Sequence, residues 1–243
     1  MTKADGTKAT TPEENAGVFA DHFEKLYGRA PEFDPTVLDA LPQSPVAPDL
    51  DHEPTDDDIQ RAVGKLHDSA PGASGLPARL WKALISTPEG FAYVRGFVLH
   101  FWRTEEVPAD WEVGLLSILP KKGDLSDPGN YRGIMMLETA YKIVANILLA
   151  RLKPIKAMLD HEAQCGFRGE RGCSDAIFTV QQLLKKRREH GLETWVLFID
   201  LVKAFDRVPR ELLWQVMLKL GVPPKLVSLL KALHETVHVR FAV

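Results

Sequence analysis

Residues 113–137 read VGLLSILPKKGDLSDPGNYRGIMML, and the fold turns on this stretch. Two short, largely apolar runs, 113–120 and 131–137, flank a polar turn over 121–130 that contains Gly123, Pro128, Gly129 and Asn130. Strand-forming runs separated by Gly, Pro, Asn and Asp predict a hairpin. The rest of the chain is mostly helical in its periodicity, so the fold class is α+β and α-rich.

Upstream of the hairpin, residues 12–27 set Val18, Phe19, Phe23 and Leu26 at helical spacing, which predicts a short amphipathic helix. Residues 30–54 carry Pro31, Pro35, Pro42, Pro45, Pro48 and Pro54 among acidic residues and read as an extended linker, with a domain boundary at its end. Thr55 then begins Thr-Asp-Asp-Asp-Ile. There the Thr55 hydroxyl and the Asp58 carboxylate can satisfy each other's free NH groups, starting a helix expected to reach about His67. SAPGASGLP (69–77) is a loop, followed by helical patterns around 78–84 and 90–102 that Pro108 closes.

Downstream, residues 139–158 place Ile143, Ile147, Leu148 and Leu152 on one side of a helix. A further helix over 174–189 ends at Gly191, a natural C-cap. Residues 195–199, WVLFI, form an apolar run bounded by Gly191 and Asp200, which predicts a buried strand delivering a carboxylate at its end. Pro209 opens a helix to Leu220, Gly221 stops it and Pro223 starts the next. No internal repeat is present. The expected organisation is a helix and acidic Pro-rich linker over 1–54, a helical region with the hairpin over 55–190, and a strand-led region over 191–243.

Among 243 residues, 45% are hydrophobic, enough for a sizeable core. No apolar run reaches bilayer-spanning length, and residues 1–11 lack the apolar segment of a secretory signal, so an intracellular address is expected and no membrane contact. Cys165 and Cys173 have neither a CxxC partner nor a His pair at zinc spacing and read as reduced structural thiols. The net charge of −3 is uneven: residues 1–68 hold 6 Lys and Arg against 15 Asp and Glu, and residues 69–243 hold 24 against 18. A basic remainder permits a polyanionic partner without requiring one.

Asp200, at the expected strand end, suits magnesium, a hard cation that takes one or two protein carboxylates and leaves its other positions to water and phosphate oxygens. An isolated strand followed by Asp is equally a capping or surface carboxylate. Four ordered segments carry the argument further: LPKKGD (119–124), NYRGI (130–134), QCGFRGERGCSDAIF (164–178) and FIDLVKAFDRV (198–208). Together they resemble the reverse transcriptases of non-LTR (LINE-type) retrotransposons. The resemblance extends more loosely from about Phe19 through VPADW (107–111) to the last residue. HDSAPGASGLP (67–77) is similar to a Lys-rich loop of that family but lacks its lysine and aspartate, which puts a template contact there in doubt.

The resemblance implies a right-hand polymerase architecture: fingers over 55–190 and the start of the palm from 191. It implies an RNA-directed DNA polymerase using Mg2+, with an RNA template, a DNA primer and deoxynucleotide triphosphates as partners, working in the cytoplasm and nucleus. Asp200 would be the first palm aspartate, binding two metal ions roughly 3.5 to 4 Å apart, with the Leu201 carbonyl assisting the nucleotide-side ion. Phe205 would be the aromatic gate against a 2′-hydroxyl, although core packing is the commoner role for an aromatic. Asp206 would bond NH groups near the next helix. Lys121 and Arg132 would grip the triphosphate, one as a point charge and one as a bidentate fork. They are expected to face the same cleft as Asp200, because one triphosphate must bridge all three. Arg168 and Arg171 could hold template phosphates or equally anchor a loop through carboxylates. The family's later motifs, a Gly-Gln element and a paired-aspartate strand, would lie beyond Val243. The chain alone is therefore expected to be inactive, and a polymerase-derived binding module without chemistry is the alternative.

Overall fold

The computed structural model describes residues 1–3, 5–28, 33–235 and 238–241. The start of the expected linker, 30–32, lies outside them. The architecture is α+β, as expected: eight helices and a three-stranded sheet among the described residues. Contacts divide the chain into two compact units, the first formed by residues 1–152 with 205–243 and the second by residues 153–204.

In the first unit, α1 (Pro12–Tyr27) opens with Thr11 accepting the Glu14 NH. α2 (Asp56–Gly64) begins with the reciprocal Thr55 and Asp58 bonds read from the sequence, at 3.2 and 3.0 Å. It ends short of His67, where the Lys65 NH closes the last turn on the Arg61 carbonyl. Its Ile59 and Val63 meet a fully buried core that includes Val94 and Phe101 of α4 (Pro88–Thr104) and Ile143 and Leu148 of α5 (Thr139–Leu159). α3 (Ala78–Leu84) packs beside α2. α7 (Arg210–Lys219) and α8 (Pro224–Glu235) complete the unit, α8 burying Leu226 and Leu229. α4 ends at Glu105 with a left-handed φ of 62°, and that carboxylate accepts Lys225 Nζ at 2.6 Å and Ser228 Oγ. The Lys225 bond, followed by Ser228, holds Glu105 below the usual carboxylate range.

The expected hairpin forms. β1 (Val113–Pro120) pairs antiparallel with β2 (Tyr131–Met136), Leu119 opposite Arg132. A further strand that the sequence did not announce, β3 (His238–Phe241), lies parallel to β1 on its other edge, giving the order β2-β1-β3. One sheet face packs on α1. A Cβ on Gly133 would come 2.9 Å from Phe23 Cε1 and 3.0 Å from the Tyr27 hydroxyl, so only glycine lets the helix approach. Phe19 meets Tyr131 edge-on at 4.9 Å.

Within the expected linker, residues 44–47 are bonded rather than free. Ser44 NH donates to the Lys219 carbonyl and Ala47 NH to that of Gly221. Prolines enforce the extended shape, and the turn between α7 and α8 supplies the acceptors.

The second unit holds the end of α5, a turn-rich segment and α6 (Cys173–Glu189). Gly191, at φ 63°, ends α6 as expected: its NH bonds to the Arg188 carbonyl and the next NH, of Leu192, to Arg187. The expectation for 195–199 fails. No strand forms there, and Trp195 and Phe198 are 93% and 86% exposed. An apolar run becomes a buried strand only where neighbouring strands supply a ladder and a cover, and no described strand pairs with it. No described helix is long and apolar enough to cross a membrane.

Candidate nucleotide and nucleic-acid site

The polar turn of the hairpin is a fixed structure. Asp127 caps its 3-10 turn through the Gly129 NH, Asn130 Nδ2 donates to the Asp124 carbonyl, and Ser126 donates to the Asp124 carboxylate twice. The Ser126 bonds lower the Asp124 pKa from its ordinary value. Lys121 NH extends the ladder by one rung to the Asn130 carbonyl at 2.7 Å, and its Nζ reaches the Gly129 carbonyl at 3.3 Å.

Side chains alternate along a strand, and residues directly paired point the same way. Arg132 lies opposite Leu119, and Lys121 stands two residues beyond Leu119 with its ladder intact. Lys121 and Arg132 therefore share one face of the hairpin, the one away from α1. Both are exposed. A cavity of about 900 Å3 lies elsewhere, between the N-terminal segment, α1 and the turn, bordered by Asp5, Glu14, Asp21, Asp124 and Asp127. Five carboxylates against Lys3 and Lys25 would repel phosphate, so the cationic sheet face is the better anion site.

Asp200 and Leu201 lie in the exposed segment of the second unit, Leu201 at 71% exposure, followed by a turn in which Lys203 has a left-handed φ of 52°. Asp200 is not at a strand end. Phe205 belongs to the first unit and is 77% exposed, so it is no core aromatic. The Asp206 carboxylate accepts no NH among the described residues, and the following helix has Pro209 as its N-cap without a side-chain bond, which corrects the expected role. Its charge is felt instead at Tyr27, whose phenol is raised above its ordinary pKa by burial first and Asp206 second. Arg168 and Arg171 both bind Glu162, at 3.1 and 3.0 Å, and Arg168 also donates to the His161 carbonyl. The Arg168 bond is the main reason Glu162 sits below the usual carboxylate range.

One cluster escaped sequence reasoning. Glu138, only 6% exposed, lies just past the end of β2. Its carboxylate accepts the Ser74 NH at 2.7 Å and the Ser74 hydroxyl at 2.5 Å. Thr139 Oγ1 donates to the Leu76 carbonyl, and Lys142 Nζ donates to Ser69 Oγ and the Ala70 carbonyl. The loop 69–77 is thus tied to the start of α5. A lone acid in the apolar run MMLETAYKIV (135–144) was the available signal.

Comparison with known sequences bears directly on this arrangement. Residues 119–242, which span the hairpin turn and the Asp200 segment, match the family described as reverse transcriptase (RNA-dependent DNA polymerase). The chain belongs to the reverse transcriptase family. It is 30% identical over 234 residues to the transposon TX1 uncharacterized 149 kDa protein of Xenopus laevis, covering 92% of this chain and 18% of that protein. It is also 30% identical over 167 residues to the retrovirus-related Pol polyprotein from type-1 retrotransposable element R2 of Popillia japonica, covering 68% of this chain and 22% of that one. The chain thus spans about a fifth of the length of these relatives. Both are named for transposable elements, consistent with the non-LTR reverse transcriptases that the ordered motifs of this chain resemble. The residues here are part of an RNA-directed DNA polymerase domain.

Proposed function

We propose that the face of the hairpin bearing Lys121 and Arg132 grips the triphosphate of an incoming deoxynucleotide in a non-LTR reverse transcriptase. The observation that carries this is their shared, exposed side of one rigid hairpin. A lysine and an arginine at diagonal positions, about 7 to 8 Å apart at Cα, suit two phosphates of one chain. In the whole protein the partners are an RNA template and a DNA primer, whose 3′-hydroxyl attacks the α-phosphate, in the cytoplasm and nucleus. Asp200 and the Leu201 carbonyl are the metal-binding positions for Mg2+ and Phe205 the sugar gate, readings that rest on their motif. Arg168 and Arg171 are template-side candidates whose guanidiniums are at present engaged by Glu162.

The donor set does not by itself fit two metal ions. Among the described residues no three His, Cys, Asp or Glu side chains cluster as a metal site, so no such set includes Asp200. This favours a second reading for the chain alone, a nucleic-acid-binding module without chemistry. Titration with a fluorescent deoxynucleotide triphosphate tests the first reading: Lys121→Ala and Arg132→Ala are each expected to weaken binding about tenfold, the loss of one charge-assisted contact. Unchanged affinity in both variants would remove the triphosphate site. Primer extension tests the second. Incorporation should stay at background, and activity that disappears in Asp200→Ala would overturn it.

A further inference from the structure

β3 brings a third cation to the same face of the sheet. It is parallel to β1 with Arg240 opposite Leu115. Leu115, Ser117 and Leu119 share a side by alternation, and Leu119 is paired with Arg132. Arg240 therefore stands on the outer face with Arg132 and Lys121. Phe241, one residue on, turns to the inner face and meets Phe23 at 6.4 Å between ring centres, as alternation requires.

The outer face has the character of a polyanion platform. None of its strand residues is acidic. Arg132 and Arg240 are exposed, and neither guanidinium makes an ion pair or hydrogen bond among the described residues. Four residues of strand rise and two interstrand spacings separate them, about 16 Å across the face. Leu119 and Ile134 flank Arg132 at 46% and 43% exposure, and Ser117 stands midway between Arg132 and Arg240. Single strands bind where a line of cations tracks their phosphates. A protein partner would be expected to meet some carboxylate here, and a free triphosphate is too short to reach from Arg132 to Arg240.

We infer that Arg240 binds a backbone phosphate of single-stranded RNA, so that the template crosses the outer sheet face between Arg240 and the triphosphate grip. The second half of this statement rests on the reading of Lys121 and Arg132 above, while the Arg240 contact stands on its own geometry. RNA is the occupant because the family copies RNA.

The test is fluorescence anisotropy of a labelled single-stranded RNA with the 243-residue chain, across salt from about 50 to 200 mM. Removing one phosphate contact lowers the slope of log affinity against log salt by about 0.7, equivalent to about a fivefold loss at 0.1 M. Arg240→Gln is expected to show that change, with unaltered far-ultraviolet circular dichroism, and Arg240→Lys, which keeps the charge, to restore the slope. Fluorescent nucleotide affinity should be unaffected by Arg240→Gln. A wild-type slope in Arg240→Gln overturns the inference while leaving the triphosphate site intact. Failure of Lys121→Ala and Arg132→Ala to weaken nucleotide binding sinks that site but leaves the Arg240 slope as its own result. A DNA strand of the same sequence showing the larger Arg240-dependent loss overturns the assignment to RNA.

Discussion

Glu14 is a surface residue whose chemistry can be read directly. Its carboxylate accepts Lys3 Nζ at 2.7 Å and the NH and hydroxyl of Thr10, tying the N-terminal segment to α1. The same segment reaches the hairpin turn through Thr2 NH and the Ser126 carbonyl. The Lys3 bond, then those from Thr10, lower the Glu14 pKa to about 2. A carboxylate lowered on folding contributes stability above its ordinary value of 4.5, and the contribution is lost as pH falls towards 2. The Thr10 amide resonance should titrate with a midpoint near 2. A midpoint at the ordinary carboxylate value would mean that the tie does not form in solution. Glu138 acts at the same scale but buried. Glu138→Gln weakens a charge-assisted acceptor of two bonds and is expected to cost about 2 kcal/mol in denaturant unfolding. Its sharper signature is faster amide exchange at Ser74, which a merely global destabilisation would not single out.

At the scale of elements, what was legible depended on whether a segment's partner lay close by in sequence. α1, the capping box of α2 and the β1–β2 hairpin are specified by residues within a few positions of each other, and all three form. β3 is four residues long and owes its existence to the free edge of β1, more than a hundred residues earlier, so local pattern could not reveal it. Arg240 was missed with it. Residues 44–47 failed differently: their prolines announce extension, but not that the α7–α8 turn would receive them. Gly221 makes that reception possible, since its φ is 83° and a Cβ there would collide with the Pro45 carbonyl. Gly221→Ala combines a left-handed strain of about 1 kcal/mol or more with that collision. It is expected to lower the unfolding midpoint and to expose the 44–47 amides to exchange. Retention of their protection would show that the segment is held by something other than these two bonds.

At the scale of the whole molecule, the two units differ in how much apolar surface they hide. The first unit buries Trp81, Trp102, Trp111 and Trp214, each at 7% exposure or less, whereas Trp195 in the second is 93% exposed. Around it, Leu197, Phe198 and Ile199 are exposed at 77% or more, and α6 has no buried residue. Six residues of high strand propensity without charge or proline, 194–199, form an aggregation-prone segment when left unpaired. The sequence reading of this run as a buried strand was correct about its composition and wrong about its surroundings, because burial is a property of neighbours. Asp200, the central residue of the proposed chemistry, inherits that setting. Tryptophan fluorescence offers a direct check. One quenchable, red-shifted component should be present among the five tryptophans, and Trp195→Phe should abolish it while leaving the blue-shifted emission of the other four. Acrylamide should reach that component in dilute solution and lose access as protein concentration rises, since strands left without a ladder pair with each other. If Trp195→Phe leaves quenching unchanged, the run is already covered in the isolated chain, and the exposed setting assigned to Asp200 falls with it.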